Sequence, residues 1–291
     1  MSRLQSLMIN PVLNKEIKLR FRSFKSFISI LLFLAICGAV CLAFIYIETQ
    51  FSQDGFTSED SRNLFMLLSM GQLGLIVFIT PGLTAGAISG EREKQTLNIL
   101  LTTQQSSTSI ILSKLFSSIL FLMLMLVASL PLYSIVFLYG GVSPQTVLIM
   151  FGFLLLTMLT IGSIGIMFST VLKKTIVATI TTYGIMLFLL VGTIILFVIS
   201  LQFILGFSQG TAGQSNNMLP YFLLIFNPAV SMFSTLQSNM FMYEFDQLGI
   251  HVPLWVGYTP AYIIMTLLSL MIAIKKLRPS MKAKSKKAKK G

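Results

Sequence analysis

Long stretches of this chain carry no charged side chain, and they decide what it can fold into. No Lys, Arg, Asp, Glu or His occurs from Phe27 to Ile47, from Asn63 to Gly90, from Leu115 to Leu172 or from Thr175 to Tyr243. About 20 apolar residues in a helix cross a bilayer core, so each stretch is long enough for one pass and the last two for more. Only 10% of the 291 residues are charged and 55% are hydrophobic, whereas a soluble domain carries about a quarter charged residues. The excess apolar surface must therefore face lipid. Lipid offers backbone amides no partners, so the spanning form is helical. The expectation is an all-α integral membrane protein with spans near residues 26–47, 64–88, 111–139, 146–171, 176–204 and 255–274. That leaves one transmembrane domain, about residues 26–274, and no room for a second large soluble domain.

Basic residues mark the side of a membrane protein that stays in the cytoplasm. With an even number of spans and the N-terminus inside, every one of the 21 Lys and Arg residues except Arg62 falls on the cytoplasmic side. Six of the nine acids (Glu48, Asp54, Glu59, Asp60, Glu244 and Asp246) fall outside. Both termini are thus expected in the cytoplasm, with residues 275–291 a basic tail that can touch anionic headgroups. The same distribution accounts for the net charge of +12 without a nucleic-acid partner. The N-terminus does not read as a cleavable signal, because its basic region is long and its apolar stretch spans a membrane. Cys37 and Cys41 lie inside the first span and read as packing residues, which says nothing about redox compartment.

Before the first span, Leu13, Ile17, Phe21, Phe24 and Ile28 form one helical stripe, and Lys15, Lys18, Arg22 and Lys25 lie on another side. Such a helix rests in the membrane interface, apolar face down. Pro11 after Asn10 suits its start. Residues 1–25 are accordingly a cytoplasmic segment with an amphipathic helix, either a surface anchor or the entrance to span one.

The connection between spans two and three is the most informative segment. Gly82, Gly86 and Gly90 are four apart and share a helical face that permits close backbone approach. Pro81 favours a kink. Glu91, Arg92, Glu93 and Lys94 follow at the membrane border, and then a short helix-compatible stretch through Thr96, Leu97, Leu100 and Leu101. Acids at its start suit the positive end of a helix dipole.

The run Gly90-Glu91-Arg92-Glu93-Lys94-x-Thr96-Leu97-x-x-Leu100-Leu101 resembles the signature of permease subunits of ABC-2 type transporters. That family's pattern usually has Gly where this chain has Gln95 and Glu where it has Asn98. The resemblance extends to the amphipathic segment before span one, to Gly162, Ser163 and Gly165 in span four, and to Asn227-Pro228. It implies six-span subunits that pair, each with a cytoplasmic coupling helix docked on a separate ATPase subunit. Carried over, the ATPase contact is Gly90, Glu91, Arg92, Glu93, Lys94, Thr96, Leu97, Leu100 and Leu101, within a coupling helix of about residues 90–104. The elbow helix carries Lys15, Lys18, Phe21, Arg22 and Lys25. The setting implied is a bacterial plasma membrane, and the direction is export. No G-x-x-x-x-G-K-[ST] phosphate loop occurs, nor any Gly-Lys dipeptide. The chain is therefore expected not to be an enzyme: ATP and Mg would bind the partner subunit and no cofactor this one.

Residues 207–254 are expected outside. Phe207–Asn217 is loop-like, and Leu219–Leu236, broken by Asn227-Pro228, fits a pair of short helices dipping into the outer leaflet better than a full span. The alternative is an irregular extracellular loop packed on the bundle. Trp255, Tyr258 and Tyr262 read as interface anchors for span six. No acid or histidine falls inside the expected spans, which argues against a secondary transporter coupled through its own buried acid. The sole His251 is isolated, and no metal or nucleophile constellation is apparent. Gln72, Thr80, Thr193 and Gln202 could line a path, although helix packing is the plainer use of each. Two other classes share the topology: a sensor or resistance component of an ABC complex, and an ATP-independent channel or scaffold. The sequence names no substrate.

Overall fold

The computed structural model describes residues 24–51, 55–97, 106–208, 218–237 and 252–277, without the side chains of residues 25, 26, 51 and 204–208. Every regular element among them is helical. In chain order they are α1 (Phe24–Phe51), α2 (Ser58–Thr84), α3 (Ser89–Glu93), α4 (Ser107–Ala128), α5 (Leu130–Tyr139), α6 (Pro144–Val171) and α7 (Thr175–Leu187). A π-helical turn (Phe188–Gly192) then leads into α8 (Thr193–Ser208), followed by α9 (Leu219–Ile225), α10 (Pro228–Leu236) and α11 (Leu254–Leu277). Six helical runs are long and apolar enough to cross a membrane: α1, α2 with α3, α4 with α5, α6, α7 through α8, and α11. The chain is an all-α multi-pass membrane protein.

Polar caps set the start of several runs. At α2, Thr57 accepts from the Asp60 amide and Asp60 reaches back to the Thr57 amide, a reciprocal capping box. Ser106 and Ser143 cap α4 and α6 in the simpler way.

Two spans are interrupted. The third breaks at Ser129, where Pro131, which has no N–H, begins α5. The break is held by a buried polar cluster. Gln72 Nε2 donates to Ser129 Oγ at 2.6 Å and Tyr133 Oη donates to Gln72 Oε1 at 2.9 Å. The fifth span carries the π turn, a widened turn common at functional positions. By contrast, α2 runs through Pro81 and gives way to turns only after Thr84. Thr80 and Thr84 each donate a hydroxyl to the carbonyl four residues back, Ile76 O at 2.6 Å and Thr80 O at 2.8 Å, on either side of the proline.

The centre of the bundle is α6, which packs against α2, α4, α7 and α11. Its small residues permit this. A Cβ at Gly165 would stand 2.1 Å from Thr84 Oγ1, so α2 and α6 touch there at backbone distance. The sixth span packs through Leu254, Tyr258, Tyr262, Ser269, Ala273 and Leu277, a buried stripe at helical spacing. Tyr258 stacks on Phe153 and on Tyr262, and its hydroxyl lies 2.6 Å from Thr157 Oγ1. Tyr258 and Tyr262 are thus core residues and not the interface anchors that their spacing after Trp255 suggested. Trp255, a helical step of about 100° away from Leu254, is exposed. Cys37 and Cys41 are buried free thiols.

Alternation of the six runs gathers Arg92, Lys94, Lys114, Lys173, Lys174, Lys275 and Lys276 at one end, here the basic end. At the opposite end α9 and α10 form a pair of short helices bent by 96°.

Candidate functional site

Helix α3 is five residues long, too short to persist alone. Its neighbours hold it. Ser169 Oγ, from the last turn of α6, accepts from the amides of Ile88 and Ser89 at 2.8 and 2.9 Å and so caps its start. At its other end the Thr96 amide bonds to Glu91 O and the Gln95 amide to Arg92 O. This paired closure is the Schellman motif, whose residue after the cap adopts the left-handed conformation. That residue is Gln95, with φ of 60°. The Gly that ABC-2 signatures usually carry at this position is thereby explained: glycine adopts that conformation at no steric cost, and this chain holds a glutamine there instead.

Within this frame the charges of Glu91, Arg92 and Glu93 turn toward the protein. Arg92 donates from Nη1 to Leu172 O at 2.9 Å and from Nη2 to Thr170 O at 3.1 Å, closing carbonyls left without partners at the end of α6. Glu93 accepts from the Thr175 amide at 2.7 Å and from Thr175 Oγ1 at 2.9 Å. Lys174, at the N-cap of α7, supplies no side-chain cap, so Glu93 serves as that cap from another element, with its charge on the positive end of the helix dipole. Glu91 pairs with Lys114 of α4 at 3.0 Å and accepts from Thr96 Oγ1. One short helix therefore holds the basic ends of spans three, four and five together.

Lys94, Gln95 and Thr96 are left exposed on the other side. Leu97 is buried. Leu100 and Leu101 lie outside the described residues, as do Lys15, Lys18, Phe21, Arg22 and His251. Lys25 falls in α1, its side chain not described. Gly90 sits beside Thr175. Gln72 belongs to the buried cluster at Ser129, and Thr80 bonds within its own helix. Thr193 is buried at the π turn, and Gln202 is exposed on α8.

Sequence reasoning did not single out Ser169, Thr175 or Arg62. The signal for the first two was the length of the connection between spans four and five, only Leu172–Lys174, which forces both helix ends close to whatever lies beside them. Arg62 donates to Leu236 O at 3.1 Å and closes the end of α10.

At the opposite end a single residue does comparable work. Asn227, fully buried, donates to Leu190 O at 2.7 Å and to Thr193 Oγ1 at 2.9 Å, both at the π turn of span five. Its Oδ1 accepts from the amides of Ala229 and Val230 and caps α10. The bent pair α9–α10 is thus tied to span five, and Tyr262 Oη ties it to α11 through Phe226 O at 3.0 Å. No group of three or more His, Cys, Asp or Glu side chains able to hold a metal occurs among the described residues.

A family model described as "ABC-2 family transporter protein" matches residues 10–275. No curated protein matches the chain.

Proposed function

The chain belongs to the ABC-2 family of transporter proteins, and from that premise we propose that it is the membrane subunit of an ATP-driven exporter whose ATPase is a separate chain. The permease role comes with the family. In this reading the chain pairs with an identical or related six-span chain, the partner ATPase binds ATP and Mg, cargo moves outward, and the basic end and both termini face the cytoplasm.

The observation that carries the reading is the placement of Arg92 and Glu93 on the facing ends of α6 and α7. A force on α3 cannot move it without straining the ends of spans four and five. The exposed Lys94-Gln95-Thr96 edge is the surface on which an ATPase subunit would press. Closure of two ATPase subunits would then displace α3, and Glu93 would carry the start of span five with it. The last turn of α2, in contact with α6 at Gly165, would bear the counter-load.

The reading is tested by purifying the tagged chain from its native membrane in mild detergent and identifying co-purifying chains. A stoichiometric partner with a phosphate loop and vanadate-sensitive ATP hydrolysis is expected. A well-folded chain that brings down no such partner would leave an ATP-independent channel or scaffold as the better account.

A further inference from the structure

We infer that a groove at the basic end of spans two and three binds the headgroup of an anionic phospholipid. The groove has a volume of about 560 Å³ and lies between Gly82, Leu83, Gly86 and Ala87 on one side and Lys114, Ser117 and Ser118 on the other. Lys94 and Glu91 complete its mouth. The volume falls within the range of small-molecule sites.

Three observations point to this ligand. The first is a buried hydroxyl without a protein partner. Ser117 is 3% exposed, lines the groove, and has no hydrogen bond among the described residues. A serine in a helix usually returns its hydroxyl to the carbonyl four residues back, as Ser113 does to Ser109. A buried polar group that makes no such bond has a cost unless something else satisfies it. The second is charge. Lys94 and Lys114 stand beside Glu91 at the mouth, which opens at the basic end of the bundle. The third is the order of chemistry with depth. Ser117 is one helical turn further into the membrane than Lys114, and Leu83 and Gly82 of α2 lie at and beyond the level of Ser118, whose hydroxyl reaches the Leu83 carbonyl. A phosphoglyceride has the same order: phosphate, then ester carbonyls that accept hydrogen bonds, then acyl chain. Gly82 and Gly86 have a packing role on another side, where a Cβ would stand 3.2 Å from Tyr183 Oη and from Thr175 Cγ2 respectively. That role leaves the groove wall open.

The site does not depend on ATP coupling, and its test needs no ATPase partner. The full chain is placed in phosphatidylcholine nanodiscs containing a small fraction of photoactivatable phosphatidylglycerol or, in parallel, equally labelled phosphatidylcholine. Crosslinked residues are mapped by mass spectrometry. Phosphatidylglycerol is expected to label residues 82–94 and 114–118 in preference to phosphatidylcholine. Lys94→Gln, at an exposed position, is expected to lower that labelling about five-fold, the size of one basic residue's attraction to an anionic surface. Ala87→Phe, which fills the groove, should remove it while labelling of the exposed faces of α1 and α8 continues. Equal labelling by the two lipids, or undiminished labelling in Ala87→Phe, would overturn the assignment. Competition by soluble glycerol phosphate would overturn it in favour of a water-borne phosphate ligand.

Discussion

The fifth span is gripped at two places by two different chemistries. At the basic end a carboxylate, Glu93, caps the first turn of α7 from a neighbouring element and remains exposed to water. At the π turn an uncharged amide, Asn227, makes four hydrogen bonds in full burial. Water can replace the partners of the first grip at small cost, because exposed charged groups are already hydrated. It cannot replace those of the second, where each broken bond leaves a polar group dry. The first is suited to a contact that is made and released, and the second to a fixed pivot. A span that is pushed at one end and held at the middle rotates about the hold.

Substitutions at four positions would break or sharpen that contrast. Asn227→Ala should have the largest effect. It removes the cap of α10 and the two bonds to the π turn, a loss of about 2–4 kcal/mol if a cap and one or two buried hydrogen bonds are counted. A marked fall in thermal midpoint in detergent would register it, and an unchanged midpoint would remove Asn227 as the pivot. Arg92→Ala should cost about 1–3 kcal/mol through two charge-assisted bonds in partial burial. Arg92→Lys should recover only part, because one ammonium does not reproduce a fork that reaches two carbonyls. Glu93→Ala should barely move the midpoint and yet raise hydrogen exchange at the Thr175 amide several-fold, the signature of a local opening. If it instead lowers global stability as much as Asn227→Ala does, the two grips do not differ in kind. Gln95→Gly should be the smallest and of opposite sign, a gain of up to about 1 kcal/mol from relieving a left-handed non-glycine residue, offset by the greater freedom of glycine in the unfolded chain.

Much of this molecule was legible in its sequence, and the reason is the solvent. Lipid excludes charge so strongly that uncharged stretches alone delimit six spans. The run from Gly90 to Leu101 stood out because charge is rare everywhere else. What could not be read was the direction in which its side chains turn. A Glu-Arg-Glu run at a membrane border has the same composition whether it faces a partner chain or, as Arg92 and Glu93 do, the backbone ends of neighbouring helices. The π turn at Phe188–Gly192 has no residue signature of its own. It became intelligible only with Asn227 against it. The aromatic spacing of Trp255, Tyr258 and Tyr262 misled for a related reason: interface anchors and core residues share the same helical period. Only the full stripe to Leu277, which crosses the depth of the membrane, tells them apart. The break at Ser129 had a visible cause in Pro131, whereas Pro81 looked equivalent and is carried inside α2, which gives way to turns only after Thr84.

The central claim is that α3 transmits a partner's push to span five through Glu93. The most direct measurement is a spin-label distance between exposed positions 180 on α7 and 267 on α11. It would be taken in the ATPase-bound complex with and without ATP and vanadate, in the native background and in Glu93→Ala. The account predicts a distance change in the native background that is lost in Glu93→Ala while the ATPase stays bound. The same change in both backgrounds would contradict it.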